Sequence, residues 1–358
     1  MLHLLSPDPT VPVRALHAPG GFAWWYADAL DADHTGFVLI GSWGLPFLPG
    51  YASADRRDKA PPALARPSLN LAFYEKGVPV LYLLQEYPEQ RASCGTTHWR
   101  FGESTLRLES GALQLDLNVG LPGSTERLRG SLRLEGPRMR QVNGEVDKSD
   151  ASHGWTPVLG PCQAYADLRH GTRRFAFAGP GYADRNEGTL ALHRLGLDHW
   201  VWARGTFGDE TRVAYVLWPH QGDPLAYAVQ IGSDGRAEVH RAEASTTSMR
   251  RSLWGPRPYA QLDLTVGGQP FLALRNEVPV DDSPFYARTL GHMIHPDGRR
   301  APAISERCHP DAIDPDWFRP FLRMACQHTN ERGSAWQPLF LGPRDGRWSR
   351  LWRHWSGR

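Results

Sequence analysis

Apolar and polar residues alternate with a period of two along most of this chain, the pattern of strands that bury one face. Residues 106–109 and 113–119 alternate in this way, with Ser110 and Gly111 between them as a tight turn. Residues 128–134 read as a further strand, and 163–168 with 174–178 as a hairpin about Gly171. After Gly188 the theme restarts at 199–204, 212–218, 226–231 and 237–240, followed by a hairpin of 261–266 and 271–275 through Gly267 and Gly268. Short strands at regular spacing predict antiparallel barrels or sandwiches. Two successive series predict an all-β chain of two domains, residues 1–190 and 191–358, with a short helical segment at the C-terminal end. Asp314 followed by Pro315 opens one short helix that Pro320 disturbs. Residues 53–67 are polar and proline-rich and read as a long surface loop or a lid over a cavity.

Composition narrows the function classes. A chain of 358 residues is long enough for two cores, and 41% hydrophobic with 22% charged residues is the balance of a folded protein. The net charge of +2, with acids and bases interspersed, gives nucleic acid no role as the main partner. Fourteen tryptophans suggest aromatic-lined cavities as well as core. Cys94, Cys162, Cys308 and Cys326 are widely scattered, as isolated reduced thiols are, and no C-x-x-C pair suggests zinc or redox chemistry. Neither paired histidines at helical spacing nor a glycine-rich phosphate loop occurs, so no metal and no cofactor is expected. The first residues lack a basic leader and apolar run, and no stretch is long enough to cross a bilayer, so the expected location is cytoplasmic.

The most informative stretch is Gly179-Pro-Gly-Tyr-Ala-Asp-Arg-Asn-Glu-Gly188. Tyr182 and Asp184 are two apart and share one face of an extended strand. A carboxyl facing an apolar pocket is desolvated, which favours its neutral, proton-donating form, and such an acid can protonate an alkene. The other reading is a turn, since Asp184, Asn186 and Gly188 are turn formers.

Five strings in order decide between them by resemblance. They are 20–30 (GGFAWWYADAL), 153–157 (HGWTP), 181–188 (GYADRNEG), 199–204 (HWVWAR) and 282–288 (DSPFYAR). Together they resemble the carotenoid 1,2-hydratases, or hydroxyneurosporene synthases, over roughly residues 20–325. The resemblance implies two lipocalin-like β-domains with an apolar site between or inside them, and cofactor-independent hydration of a terminal isoprenoid double bond. The catalytic positions it implies are His153, Trp155, Tyr182 and Asp184. Asp184 would be the acid, Trp155 and Tyr182 would face the cation, and His153 would orient or deprotonate water.

Aromatic pairs extend the candidate site. Trp24 and Tyr26 share one strand face with Asp28, and Trp25 takes the other, so one set would line a cavity while the other seals the domain interface. Trp200 and Trp202 share a face in the second domain, and Trp200 could reach the first site across the seam. Two positions depart from the family pattern, Pro180 and Glu187. A second carboxyl three residues from Asp184 is expected to raise its pKa by like-charge repulsion, or to adapt the pocket to another substrate. The same scaffold leaves open a cyclase acting on a polyene or polyketide, and a carrier of an apolar ligand without chemistry. The partner expected is thus an apolar small molecule. In residues 347–355, Trp348, Leu351, Trp352 and Trp355 recur at helical spacing among arginines, which suits peripheral contact with a membrane, or docking on the protein itself.

Overall fold

The computed structural model describes residues 2–4, 11–48, 50–120, 125–143, 153–248, 259–283, 285–314 and 325–328. Alternation along the chain becomes two antiparallel sheets. In the first, the neighbours in order are Val78–Glu86, Pro67–Glu75, Gly36–Trp43, Phe22–Leu30, Arg173–Gly188, His153–His170, Arg127–Glu135, Ala112–Gly120, Ser104–Glu109, His98–Phe101 and Ala92–Cys94. This sheet curls into a half-barrel. In the second, the order is Arg236–Ser248, Leu225–Gly232, Glu210–Pro219, Leu197–Phe207, Arg300–Cys308, Tyr286–Ile294, Gln269–Asp282 and Tyr259–Val266. Its last strand pairs back onto the first and closes an eight-stranded barrel.

Each half of the chain lends the other a strand. Gln141–Asn143 runs parallel to Arg236–Ser248 on the barrel, and Ala325–His328 runs parallel to Val78–Glu86 at the edge of the half-barrel. Leu2–Leu4 lies parallel to the start of His153–His170. The tight turns are those the sequence predicts. Ser110 and Gly111 both have positive φ, 48° and 81°, as do Gly267 and Gly268, the geometry whose twist matches that of the strands it joins.

Period two sorts side chains into three cores. Ala23, Trp25, Ala27 and Ala29 enter the core of the half-barrel, whereas Phe22, Trp24, Tyr26 and Leu30 on the same strand face the barrel. On the barrel, Val201 and Ala203 point inward, while Trp200 and Trp202 point to the half-barrel. The third core is therefore the seam, built from the outward-facing stripe of the barrel and the matching face of the first sheet.

Two local expectations change. The hairpin about Gly171 exists, but its strands run on to His153–His170 and Arg173–Gly188, so Asp184, Asn186 and Gly188 lie within a strand rather than in a turn. The 53–67 stretch is not a free loop. A short helix, Tyr51–Asp55, buries Ser53 and Asp55, and Arg194 Nε donates to Asp55 Oδ2 at 2.6 Å. Asp314 caps the start of that helix, accepting from the Gly50 and Ser53 N–H groups at 2.9 and 3.0 Å. The helix expected after Asp314 and the aromatic tail at 347–355 lie outside the described residues. No described helix is long and apolar enough to cross a membrane.

Candidate active site at the seam

Three neighbouring strands of the first sheet, Phe22–Leu30, Arg173–Gly188 and His153–His170, present one face to the barrel strands Leu197–Phe207 and Glu210–Pro219. Register shifts between Pro157 and Leu159 and between Leu159 and Cys162 bend the middle of His153–His170. Ahead of those shifts Trp155 pairs directly with Asn186, so His153 and Trp155 stand on the same face as Tyr182, Asp184 and Asn186. The four residues singled out as catalytic come together here.

Asp184 is buried and accepts three hydrogen bonds. Trp155 Nε1 and the Tyr182 hydroxyl donate to Oδ2 at 2.8 and 3.1 Å, and Asn186 Nδ2 donates to Oδ1 at 2.8 Å. All three donors favour the anion, but burial opposes it and wins, pushing the carboxyl up to about 8. Asp28 and Glu306 add to the rise. At neutral pH the group is mainly the acid. Oδ1 carries one hydrogen bond and Oδ2 two, so the acid proton has its open lone pair on Oδ1.

The same network fixes the tautomer of His153. Asn186 points its nitrogen at Asp184, so its Oδ1 faces His153 Nε2 at 2.7 Å and must accept. Nε2 then carries the hydrogen, and the Nδ1 lone pair faces the Tyr215 hydroxyl at 3.3 Å. Burial holds the imidazole down to about 4, so it is a neutral acceptor across the physiological range.

Aromatic rings enclose this pair. Phe22, Trp24, Trp200 and Tyr215 all have ring centroids within 6.1 Å of the His153 ring, with Trp200 and Tyr215 reaching it from the barrel. Trp202 packs between Tyr26 and Tyr182, at 5.2 and 5.8 Å. Trp24, Tyr26, Trp200 and Trp202 therefore stand around the candidate acid.

Two expectations fail on parity. Trp25 does not seal the seam, because its strand neighbours Trp24 and Tyr26 do. It lies inside the half-barrel, edge-on to Trp43 at 5.6 Å and 4.4 Å from Trp99. Glu187 is three residues from Asp184, an odd step on a strand, and so takes the opposite face, 3.2 Å from Arg185 Nε. It neither touches the candidate acid nor figures among the causes of its raised pKa. Sequence reasoning missed Asn186, Tyr215 and Arg204. Asn186 was legible, being two residues beyond Asp184 on the same face; the other two come from the barrel and carried no local signal.

Among the described residues, Asp198, His199 and His309 place metal-ligating atoms within 4.8 Å of one another. His199 Nδ1 is 2.6 Å from Asp198 Oδ2 and its Nε2 is 2.8 Å from the Tyr259 hydroxyl. The two imidazoles stack at 20° with centroids 5.1 Å apart, so their in-plane lone pairs run side by side instead of converging on one ion. Cys94, Cys162 and Cys308 are free thiols.

Half-barrel, closed barrel and a buried acid at their seam define a two-part lipocalin-like β-protein. The same architecture recurs in two solved structures, the AttH-named protein of Nitrosomonas europaea (TM-score 0.58, 11% identity, 81% of this chain and 92% of that one) and CghA with Sch210972 (TM-score 0.55, 12% identity, 81% and 88%). The family described as carotenoid hydratase CrtC matches residues 38–332, and the chain belongs to that family. Its relatives include the acyclic carotenoid 1,2-hydratases of Thiocapsa roseopersicina (27% identical over 80% of this chain and 70% of the relative) and Rubrivivax gelatinosus (27%, 76% and 65%). The hydroxyneurosporene dehydrogenase of Chlorobaculum tepidum is 24% identical over 76% of this chain and 77% of its own length.

Proposed function

We propose that the protein adds water across the terminal trisubstituted double bond of an acyclic isoprenoid, with Asp184 as proton donor. The observation that carries this is a carboxyl buried among aromatic rings, held by three neutral donors that stabilise its conjugate base while burial favours its acid form. The Asp184 proton passes to the less substituted alkene carbon, and the electron pair of the double bond forms the new C–H bond. A tertiary cation and the Asp184 carboxylate remain. Trp155, Tyr182 and the rings about His153 offer electron-rich faces to the cation, each worth about 2 kcal/mol where water is excluded. Trp155, Tyr182 and Asn186 meanwhile hold the carboxylate.

Water then attacks the cation, and His153 Nδ1 is the acceptor for the proton it releases. His153 gives up that proton and Asp184 regains one, which restores the starting state, so alkene and water give a tertiary alcohol with no net change of oxidation state and no cofactor required. The 1,2-hydratase activity named for two relatives fits this chemistry.

Running the reaction on an acyclic carotenoid in isotopically labelled water tests the reading. Expected are one solvent oxygen in a tertiary alcohol and one solvent hydrogen on the adjacent carbon. A product isomeric with its substrate and free of solvent oxygen would replace hydration by cyclisation, and unchanged substrate would leave only a carrier.

A further inference from the structure

Two Tyr-Ala-Asp strings lie side by side in this site. Tyr26-Ala27-Asp28 and Tyr182-Ala183-Asp184 occupy neighbouring antiparallel strands, in a register that sets Tyr26 opposite Asp184 and Asp28 opposite Tyr182. Each tyrosine hydroxyl donates to the aspartate of its own string, at 2.7 Å in the first and 3.1 Å in the second. A local two-fold thus relates two buried carboxyls. Arg204 breaks the symmetry. It comes from the barrel strand Leu197–Phe207, is fully buried, and its Nε donates to Asp28 Oδ1 at 2.6 Å. Among the described residues, Asp184 has only neutral donors, Trp155, Tyr182 and Asn186.

We propose that Arg204 selects between these two equivalent aspartates: by pairing with Asp28 it holds that carboxyl as the anion and leaves Asp184 as the one that keeps its proton. Asp28 and Arg204 are positioning residues, and their bearing on turnover rests on the reading of Asp184 as the acid. One buried cation balances one carboxylate. A second anion beside it would have no counter-charge, and an unpaired buried charge costs far more than a buried neutral acid. Two like groups in one enclosed site titrate as a pair whose members are driven apart.

The remaining charged and titratable groups around Asp184 leave this balance intact. Its own strand offers only Tyr182 on this face, and the adjoining strand offers the neutral His153. Phe22–Leu30 supplies Tyr26 and Asp28. From the barrel come Tyr215, Cys308 and Tyr286, whose burial pushes each of them up and keeps it protonated. The barrel also brings Arg288 and Glu306, paired with each other at 3.0 Å, and Arg288 Nη1 donates to the Tyr74 hydroxyl at 2.9 Å. With that second pair self-balanced, Asp28, Asp184 and Arg204 form the unequal set. Burial raises both carboxyls, but the causes differ. At Asp28 the Arg204 charge and hydrogen bond oppose the rise. At Asp184 the opposition comes from the neutral donors Trp155 and Tyr182, the Asp28 charge adds to the rise, and no cation stands among the leading causes.

Ionisation of Asp184 can be followed at Trp155, whose indole N–H donates to it at 2.8 Å. The indole ¹H–¹⁵N resonance, identified by its loss in Trp155→Phe, is recorded across pH with turnover measured in parallel. Arg204→Met should raise the midpoint by about one unit or more, and Asp28→Asn should lower it by about one to three units as Arg204 turns to Asp184. Asp28→Asn leaves a cation unbalanced if Asp184 stays neutral and is the variant most prone to unfold. Arg204→Met and the double variant carry no such charge, so the test stands on them. In Asp28→Asn/Arg204→Met the midpoint should return to within about half a unit of wild type. A midpoint unmoved by Arg204→Met, or a double variant displaced as far as the single one, overturns the proposal. Midpoints that move as stated while no variant, nor the wild type, hydrates an alkene support the pairing and instead remove Asp184 as a catalytic acid.

Discussion

Exchanging Asp184 for Asn keeps the shape of the side chain and deletes its proton, so it separates ionisation from packing. In the folded protein the carboxyl titrates at about 8, against 3.8 for the free group. Between those values the folded state holds a proton that the unfolded chain has released, so this group's contribution to stability is lost as pH rises from about 4 to 8 and is constant above. His153 acts with the opposite sign. Its folded value of about 4 against 6.5 makes stability rise with pH across that window, so the wild-type curve is flattened below pH 6.5. From 6.5 to 8 Asp184 has no such counterweight. At about 1.36 kcal/mol per unit, that stretch should remove about 2 kcal/mol. Urea unfolding of wild type and Asp184→Asn side by side cancels the other titrating groups. The variant should gain about 2 kcal/mol relative to wild type from pH 6.5 to 8 and nothing further above.

The variant also starts from a rearranged network. An amide that offers its oxygen to Trp155 and Tyr182 turns its nitrogen onto Asn186, which must flip, and His153 must then move its hydrogen to Nδ1. That rearrangement shifts the whole curve by about 1 kcal/mol without changing its slope. Turnover should fall by about 10²–10⁴-fold. Parallel stability curves from pH 6.5 to 8 would refute the raised pKa, and turnover within about tenfold of wild type would refute the proton transfer.

Two further outcomes bear on the surroundings of the acid. Tyr182→Phe removes one of the two donors to Oδ2 and weakens the carboxylate more than the acid. The Trp155 resonance midpoint should rise, and single-turnover hydration should slow by about one to two powers of ten; an unchanged rate would mean that the hydroxyl does not hold the conjugate base. Glu187→Gln should leave that midpoint where it is, because the side chain lies on the other face of the strand. A fall of about one unit would put Glu187 back beside Asp184.

Sequence alone determined a good deal of this protein. Period-two alternation is a local property, so strands, tight glycine turns and the all-β class were legible without a structure. The shared face of Tyr182 and Asp184 followed from the same two-residue spacing, as did that of Trp24 and Tyr26. The family resemblance, carried by the His-x-Trp and Tyr-x-Asp strings among others, singled out His153, Trp155, Tyr182 and Asp184 as candidates before any geometry was known. Parity could also have excluded Glu187, since an odd step along a strand changes face.

Tertiary structure decided the rest. Tyr-Ala-Asp occurs three times in the chain, at 26–28, 165–167 and 182–184. Nothing within those strings says that the middle copy lies at the surface, where Asp167 binds Arg174 at 2.9 Å, while the others meet across a buried seam. Which side chains become neighbours depends on strand register and on how a barrel folded from residues far along the chain docks against the first sheet. Arg204 reaches Asp28 over 176 positions, and Tyr215 reaches His153 over 62. Burial, and with it the raised pKa of Asp184, exists only once that docking has excluded water. The residue types were written locally; the protonation state is a property of the assembled seam.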